Sequence, residues 1–167
     1  MKDNELSQAG KPAGASVQCQ ANPPQRILVV DDDSDLRLLY TDVLALPGYH
    51  VDAAEDGAAG WEAIQANNYN LLITENNLPK LTGIELVRKL RAARLAVPVV
   101  MAAGRLPPFE RVQNPPLQLA ALLPKPFYIS ELLQTVRAVL RTTDSSREQI
   151  APPPSRRSQP SAGGLRL

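Results

Sequence analysis

The sequence is short of the residues that most often announce chemistry. It has one cysteine, Cys19, and one histidine, His50. A single thiol forms no internal disulfide, so nothing in the chain requires an oxidising compartment. No Cys/His cluster exists to hold zinc, and His50 is expected to be structural or exposed. Aromatic residues make up only 4% of the chain, and Trp61 and Phe127 suit a core or its rim better than a platform for stacked bases. Charge of one sign is missing as well. The net charge is +1, with no long basic or acidic run, which gives little support to nucleic-acid or membrane binding. No stretch approaches the ~18 apolar residues of a membrane span, and MKDNELSQAG has no apolar segment of the secretory kind. The expectation is a soluble, cytoplasmic protein that binds neither membrane nor nucleic acid.

Residues 1–24 are rich in Gly, Ala, Ser, Gln, Asn and Pro, and residues 144–167 are similar, with PPP and SRRSQPSAGG. Neither segment carries enough apolar surface to offset the entropy of ordering, so both are expected to be disordered. The body, residues 25–143, is about the commonest size for one domain.

Within the body, short apolar runs alternate with helical patterns. RILVV (26–30), HVDAA (50–54), LLIT (71–74), VPVVMAA (97–103) and LAALL (119–123) read as strands. After the first, Leu36, Leu39, Val43 and Leu46 recur at helical spacing, with Asp33 or Ser34 as cap and Pro47-Gly48 as terminator. Residues 56–66 and 83–93 read as two more helices. Ser130 is expected to cap a last helix through Arg141. Strands alternating with helices predict a doubly wound α/β fold with five parallel strands and helices on both faces.

All parallel strands of such a sheet end at one edge, where ligands bind. Asp31, Asp32 and Asp33 follow the first strand, Glu75 the third and Lys125 the fifth. Asp33 fits a helix cap better than a ligand. The other carboxylates, beside a backbone carbonyl, make a hard-cation site for Mg²⁺. Lys125 offsets their charge and is placed to meet a phosphoryl oxygen.

Three stretches, ILVVDDD, ITENNLPKLTGIEL and LPKPF, resemble in order and separation the receiver domain of bacterial response regulators. The resemblance runs from Gln25 to about Arg141. It implies a flavodoxin-like strand order of 2-1-3-4-5, and a cis peptide at Lys125-Pro126. It also implies an acidic pair at Asp31 and Asp32, a metal-binding carbonyl at Asn77, and a phosphoacceptor position at Glu75 with Lys125 opposite. Mg²⁺ would lie among Asp31, Asp32, Glu75 and Asn77. Wording such as ITENNLPKLTG and VMAAGRLPP looks most like receivers that stand alone.

Three positions depart from the family. Glu75 replaces the phosphoaccepting Asp. Ala103 replaces the Ser or Thr that senses phosphate, and Leu122 replaces the aromatic that moves with it. Glutamate sets its carboxylate ~1.5 Å farther out, about one C–C bond. The resemblance therefore implies a protein-interaction module in phosphorelay signalling with impaired phosphoacceptance, whose partner is a sensor histidine kinase or other signalling protein. An alternative is a permanently active receiver in which Glu75 imitates phosphoaspartate. A third reading, a haloacid-dehalogenase-like phosphatase with Asp31 as nucleophile, lacks a cap domain and the acidic pair after the fourth strand. GRLPPFERVQNPPLQ sets two proline pairs where the family carries a full helix, so that helix is expected to be shortened or distorted.

Overall fold

The computed structural model describes residues 24–104 and 117–150. The leader expected over 1–24, except its last residue, lies outside the described residues. So do the proline-bracketed segment up to 116 and the tail beyond 150.

Five strands form one parallel sheet in the order β2-β1-β3-β4-β5. They are β1 (Arg26–Val30), β2 (His50–Ala54), β3 (Leu71–Thr74), β4 (Val99–Ala103) and β5 (Ala121–Pro124). The helices are α1 (Ser34–Ala45), α2 (Gly57–Ala66), α3 (Gly83–Ala92) and α4 (Ile129–Ile150). The alternation of side chains along a strand divides the core in two. Leu28, Val30, Leu72, Val99 and Met101 pack with Ile64, Leu86, Val87 and Leu90 of α2 and α3. Ile27, Val29, Leu71, Ile73 and Val100 pack with Tyr40 and Leu44 of α1 and with Leu132, Val136 and Leu140 of α4. A sheet covered on both faces has no solvated side, which is why its strands read as continuous apolar runs.

Several sequence expectations shift. The inward stripe of α1 is Tyr40, Val43 and Leu44, with Leu36 packed beside them; Leu39 is 40% and Leu46 85% exposed. Both sets satisfy helical spacing, and they differ by a rotation about the helix axis. β4 starts at Val99 rather than residue 97, and β5 runs over 121–124 rather than 119–123. Ser130 lies inside α4 and is not its cap. The helix starts at Ile129 because Glu131 reaches back and accepts the Tyr128 N–H at 2.8 Å. It also continues past Arg141, to Ile150. Asp33 does cap α1, accepting from the N–H groups of Asp35 and Leu36.

At the N-terminal edge of the sheet, Arg26 donates to Asp52 at 2.7 Å and Tyr69 Oη donates to the same carboxylate oxygen at 2.8 Å. Exposed His50 sits 3.5 Å from the other oxygen. Burial works against the Asp52 charge, but the hydrogen bonds from Arg26 and Tyr69 prevail and hold it below the usual carboxylate value. Burial, then the hydrogen bond to Asp52, pushes the Tyr69 phenol up to about 12. The unfolded chain therefore releases this proton first, and the stability that depends on the neutral phenol is lost as pH rises from 10.0 towards about 12. Urea titrations across that window are expected to show a loss on the order of 2 kcal/mol, which Tyr69→Phe removes.

Candidate functional site

The sheet places the site through its own hydrogen-bond ladder. Asp31, Glu75 and Lys125 each stand just beyond the end of a strand. Each backbone N–H donates to the last residue of a neighbouring strand. Asp31 N reaches Ala54 O at 3.2 Å, Glu75 N reaches Val30 O at 2.9 Å, and Lys125 N reaches Ala103 O at 2.9 Å. Residues far apart in sequence are thus brought to one edge by the same regular pairing that forms the core.

Their side chains meet. Lys125 Nζ donates to Asp31 Oδ2 at 2.7 Å and lies 2.9 Å from Glu75 Oε2. Asp31 is 2% and Glu75 8% exposed. The remaining carboxylate oxygens also have donors. Asp31 Oδ1 accepts from Asp33 N at 3.0 Å. Glu75 Oε1 accepts from Asn76 N at 2.7 Å and Asn77 N at 3.3 Å. Burial opposes the Lys125 charge, yet its hydrogen bonds to Asp31 and Glu75 win, so its pKa rises above the ordinary lysine value. Two anions and one cation leave the buried cluster one negative charge.

The other predicted residues join less closely. Asp32 is exposed, with no ion pair or hydrogen bond among the described residues. Asn77 is exposed and meets Glu75 through its N–H. Ala103 is fully buried at the end of β4, and Leu122 is 40% exposed on β5. The Lys125-Pro126 bond is cis, as expected. Asn76 Oδ1 is buried with no hydrogen-bond partner.

Sequence reading missed what holds the β3–α3 loop down. Lys80, in left-handed backbone with φ 62°, donates to Asp56 Oδ2 at 2.6 Å. Asp56 also caps α2 through Ala59 N. Gly57, which has no role as a phosphate loop, lies where a Cβ would overlap the Leu81 backbone. Gly83 is pressed in the same way against the Glu75 carbonyl and Asn76 Cα, and donates its N–H to Asn76 O at 2.9 Å. Thr82 and Glu85 then close a capping box that starts α3. This close approach sets the Asn76 and Asn77 N–H groups on Glu75. Gly83→Ala is expected to destabilise the domain by about 1–3 kcal/mol through overpacking, measured by urea denaturation.

A family model described as the response regulator receiver domain matches residues 27–137. The chain belongs to that family. The response regulator MprA of Mycobacterium sp. (strain KMS) is 35% identical over 129 residues, covering 77% of this chain and 56% of that protein. The chain therefore spans about half the length of the curated relatives it matches. Among solved structures, a CheY-like response regulator receiver domain protein from Methanospirillum hungatei JF-1 is 26% identical with a TM-score of 0.70, covering 74% of this chain and 99% of that one. The response regulator TrrA from Thermotoga maritima, in complex with Mg(2+)-BeF, is 25% identical with a TM-score of 0.59, covering 69% and 98%. Receiver domains are signalling modules that interact with histidine kinases and other signalling proteins, and they bind Mg²⁺ at the phosphorylation site.

Among the described residues, no three His, Cys, Asp or Glu side chains are grouped to hold a metal ion. The buried carboxylates face an ammonium and backbone N–H donors instead. Asn76 Oδ1, buried without a hydrogen-bond partner, and the exposed Asp32 carboxylate are oxygens nearby in sequence that no described group donates to. No helix among the described residues is long and apolar enough to cross a membrane.

Proposed function

We propose that this receiver domain acts by binding a signalling partner, a sensor histidine kinase or another protein of the pathway, and that its pocket is closed to ordinary phosphoryl transfer. The observation that carries this reading is the engagement of Glu75. Its two oxygens take the Lys125 ammonium at 2.9 Å and the N–H groups of Asn76 and Asn77. An acceptor carboxylate must present a free oxygen in line with the incoming phosphorus, and transfer is mostly positioning and electrostatics. In Glu75 both oxygens already carry such donors. Ala103 brings no hydroxyl to sense a phosphoryl group, so the two states of a switch would lack the differential contacts that separate them.

Exposed apolar side chains support binding as the output. Tyr40 of α1 stacks on Phe127 with ring centroids 5.9 Å apart. Beside this pair in sequence stand the exposed Leu38, Leu39, Tyr128 and Ile129. Large exposed apolar side chains of this kind are suited to protein contact. Binding without turnover also accounts for a pocket whose two buried acids are both engaged.

The Glu75–Lys125 contact supports a second reading, in which glutamate imitates phosphoaspartate and holds the domain active. A single carboxylate charge is a weak copy of a phosphoryl group's roughly −1.5 to −2, and Ala103 again has nothing to answer it. Intact-mass measurement after treatment with a small phosphodonor and Mg²⁺ tests the main reading. The expected mass is unchanged; addition of one phosphoryl group would overturn it.

A further inference from the structure

We propose that Arg91 and Arg94 form a binding site for a small phosphate-class oxyanion at the amino edge of the sheet, the edge opposite Glu75. The site stands apart from the carboxyl-edge pocket and does not depend on how that pocket works.

Arg91 lies in the last turn of α3 and is half-buried. Its guanidinium reaches two other segments. Nη1 donates to Leu95 O and Val97 O, both at 2.9 Å, just ahead of β4. Nε donates to Leu117 O and Nη2 to Gln118 O, both at 3.1 Å, ahead of β5. Four of the five N–H groups of the fork are thereby used. The fork is held in place, and one Nη2 hydrogen remains. All four acceptors are neutral carbonyls, which satisfy the hydrogen bonds and leave the charge. No carboxylate pairs with Arg91 among the described residues. Arg26, at the same edge, shows the contrast. It pairs with Asp52 at 2.7 Å, and that partner raises its pKa. On Arg91 burial alone acts, and it lowers the pKa. A partly desolvated cation without an anion gains most from acquiring one.

Arg94 brings a second cation to the same place. It follows Ala93, the C-cap of α3. Its N–H bonds to Arg91 O at 2.9 Å, and the N–H of Leu95 bonds to Leu90 O at 3.1 Å. Helix ends of this kind use a left-handed residue, usually glycine. Here it is Arg94, with φ 58°. Its side chain is exposed and has no hydrogen bond or ion pair among the described residues. The helix dipole favours a cation at this end; it does not require one in left-handed backbone. Gln118 is also left-handed, at φ 48°. Arg91, Arg94, Leu95, Ala96 and Gln118 line one cleft of about 260 Å³. Two of the three left-handed non-glycine residues described therefore border it, and such strain gathers where ligands are held. The lining carries two positive charges and no negative one. The cleft is smaller than the ~300–1,000 Å³ of drug-sized sites, so it suits a single oxyanion. Two planar forks match a phosphate dianion better than a monovalent carboxylate.

The test is a titration of the ¹⁵N-labelled full chain with inorganic phosphate at fixed ionic strength, repeated with O-phosphoserine and with acetate. Phosphate is expected to shift the amides of Arg94, Leu95, Ala96 and Gln118 to saturation. Tighter binding of phosphate than of phosphoserine marks a site for the free ion. The reverse order marks a site for a phosphoryl group carried on a larger molecule, and both orders support the proposal. Acetate is expected to saturate none of these amides. Arg94→Gly is expected to weaken phosphate binding at least ~10-fold through the lost charge-assisted bonds. The same variant is expected to raise the urea midpoint, because glycine adopts left-handed backbone freely, so lost binding is not lost folding. Shifts without saturation, saturation confined to Asn76 and Asn77 at the carboxyl edge, acetate bound as tightly as phosphate, or unchanged affinity in Arg94→Gly would each overturn the proposal.

Discussion

Lys125→Met is expected to lower folding stability by about 3–5 kcal/mol at neutral pH and low divalent-cation concentration, the usual cost of stranding a buried charge. The lysine is the only cation in contact with the carboxylates of Asp31 and Glu75 among the described residues; Arg37 reaches Asp31 at its backbone carbonyl, at 2.6 Å. Losing it leaves two acids that water does not reach freely. The ammonium form is itself stabilised by folding, since its pKa is raised. Its contribution is therefore complete below the ordinary lysine value of 10.5 and fades only as pH rises through the higher folded value. Urea denaturation of Lys125→Met, Asp31→Asn with Glu75→Gln, and the triple variant separates the causes. The triple variant is expected to be more stable than Lys125→Met, because a neutral cluster needs no counter-charge. A Lys125→Met protein as stable as the wild type would show that the acids find water or another cation, and the electrostatic account of the pocket would fail.

The second large effect is a gain. Glu75→Asp combined with Ala103→Thr is expected to make the domain accept a phosphoryl group from a small donor with Mg²⁺, at a rate on the order of 100-fold above the wild type. That factor is what a misplacement of ~1 Å commonly costs. Aspartate withdraws the carboxylate by ~1.5 Å, which breaks its contacts with Lys125 and the Asn76 and Asn77 amides and frees an oxygen. Threonine at 103 adds a hydroxyl at the end of β4, on the strand between Glu75's strand and Lys125's. Intact mass and a labelling time course measure the result. A folded double variant that remains unlabelled would mean that side-chain length at position 75 is not what closes the pocket.

These expectations have different sources. That Asp31, Glu75 and Lys125 share one edge followed from the alternation of strands and helices, because parallel strands joined by right-handed crossovers have no other arrangement. The departures at Glu75, Ala103 and Leu122 were equally plain in the residues. The facing of α1 was not. Leu36, Leu39, Val43 and Leu46 form as regular a stripe as Leu36, Tyr40, Val43 and Leu44, and only the sheet beneath selects between them. The start of α4 escaped for a related reason. Ser130 is a good cap by type, but Glu131 is placed to satisfy the Tyr128 N–H, which moves the helix start towards the N-terminus.

The site shows the same division. A carboxylate at the end of an apolar strand can be read from sequence; the number of its oxygens that remain free cannot. That depends on Gly57 and Gly83 letting the β3–α3 loop press onto α2 and β3, and on Lys80 reaching Asp56. Gly57 lies in no recognisable motif, and Lys80 and Asp56 are separated by all of α2 and all of β3.

The sequence by itself determined the fold, the edge where the charged residues gather and the identity of each substituted position, because apolar periodicity is a local property and a parallel sheet has one carboxyl edge. Only the tertiary structure decided that Lys125 lies within reach of both acids and that loop amides donate to Glu75. Those outcomes turn on contacts of a few ångströms between segments distant in the chain, where hydrogen-bond geometry decides and residue type alone does not.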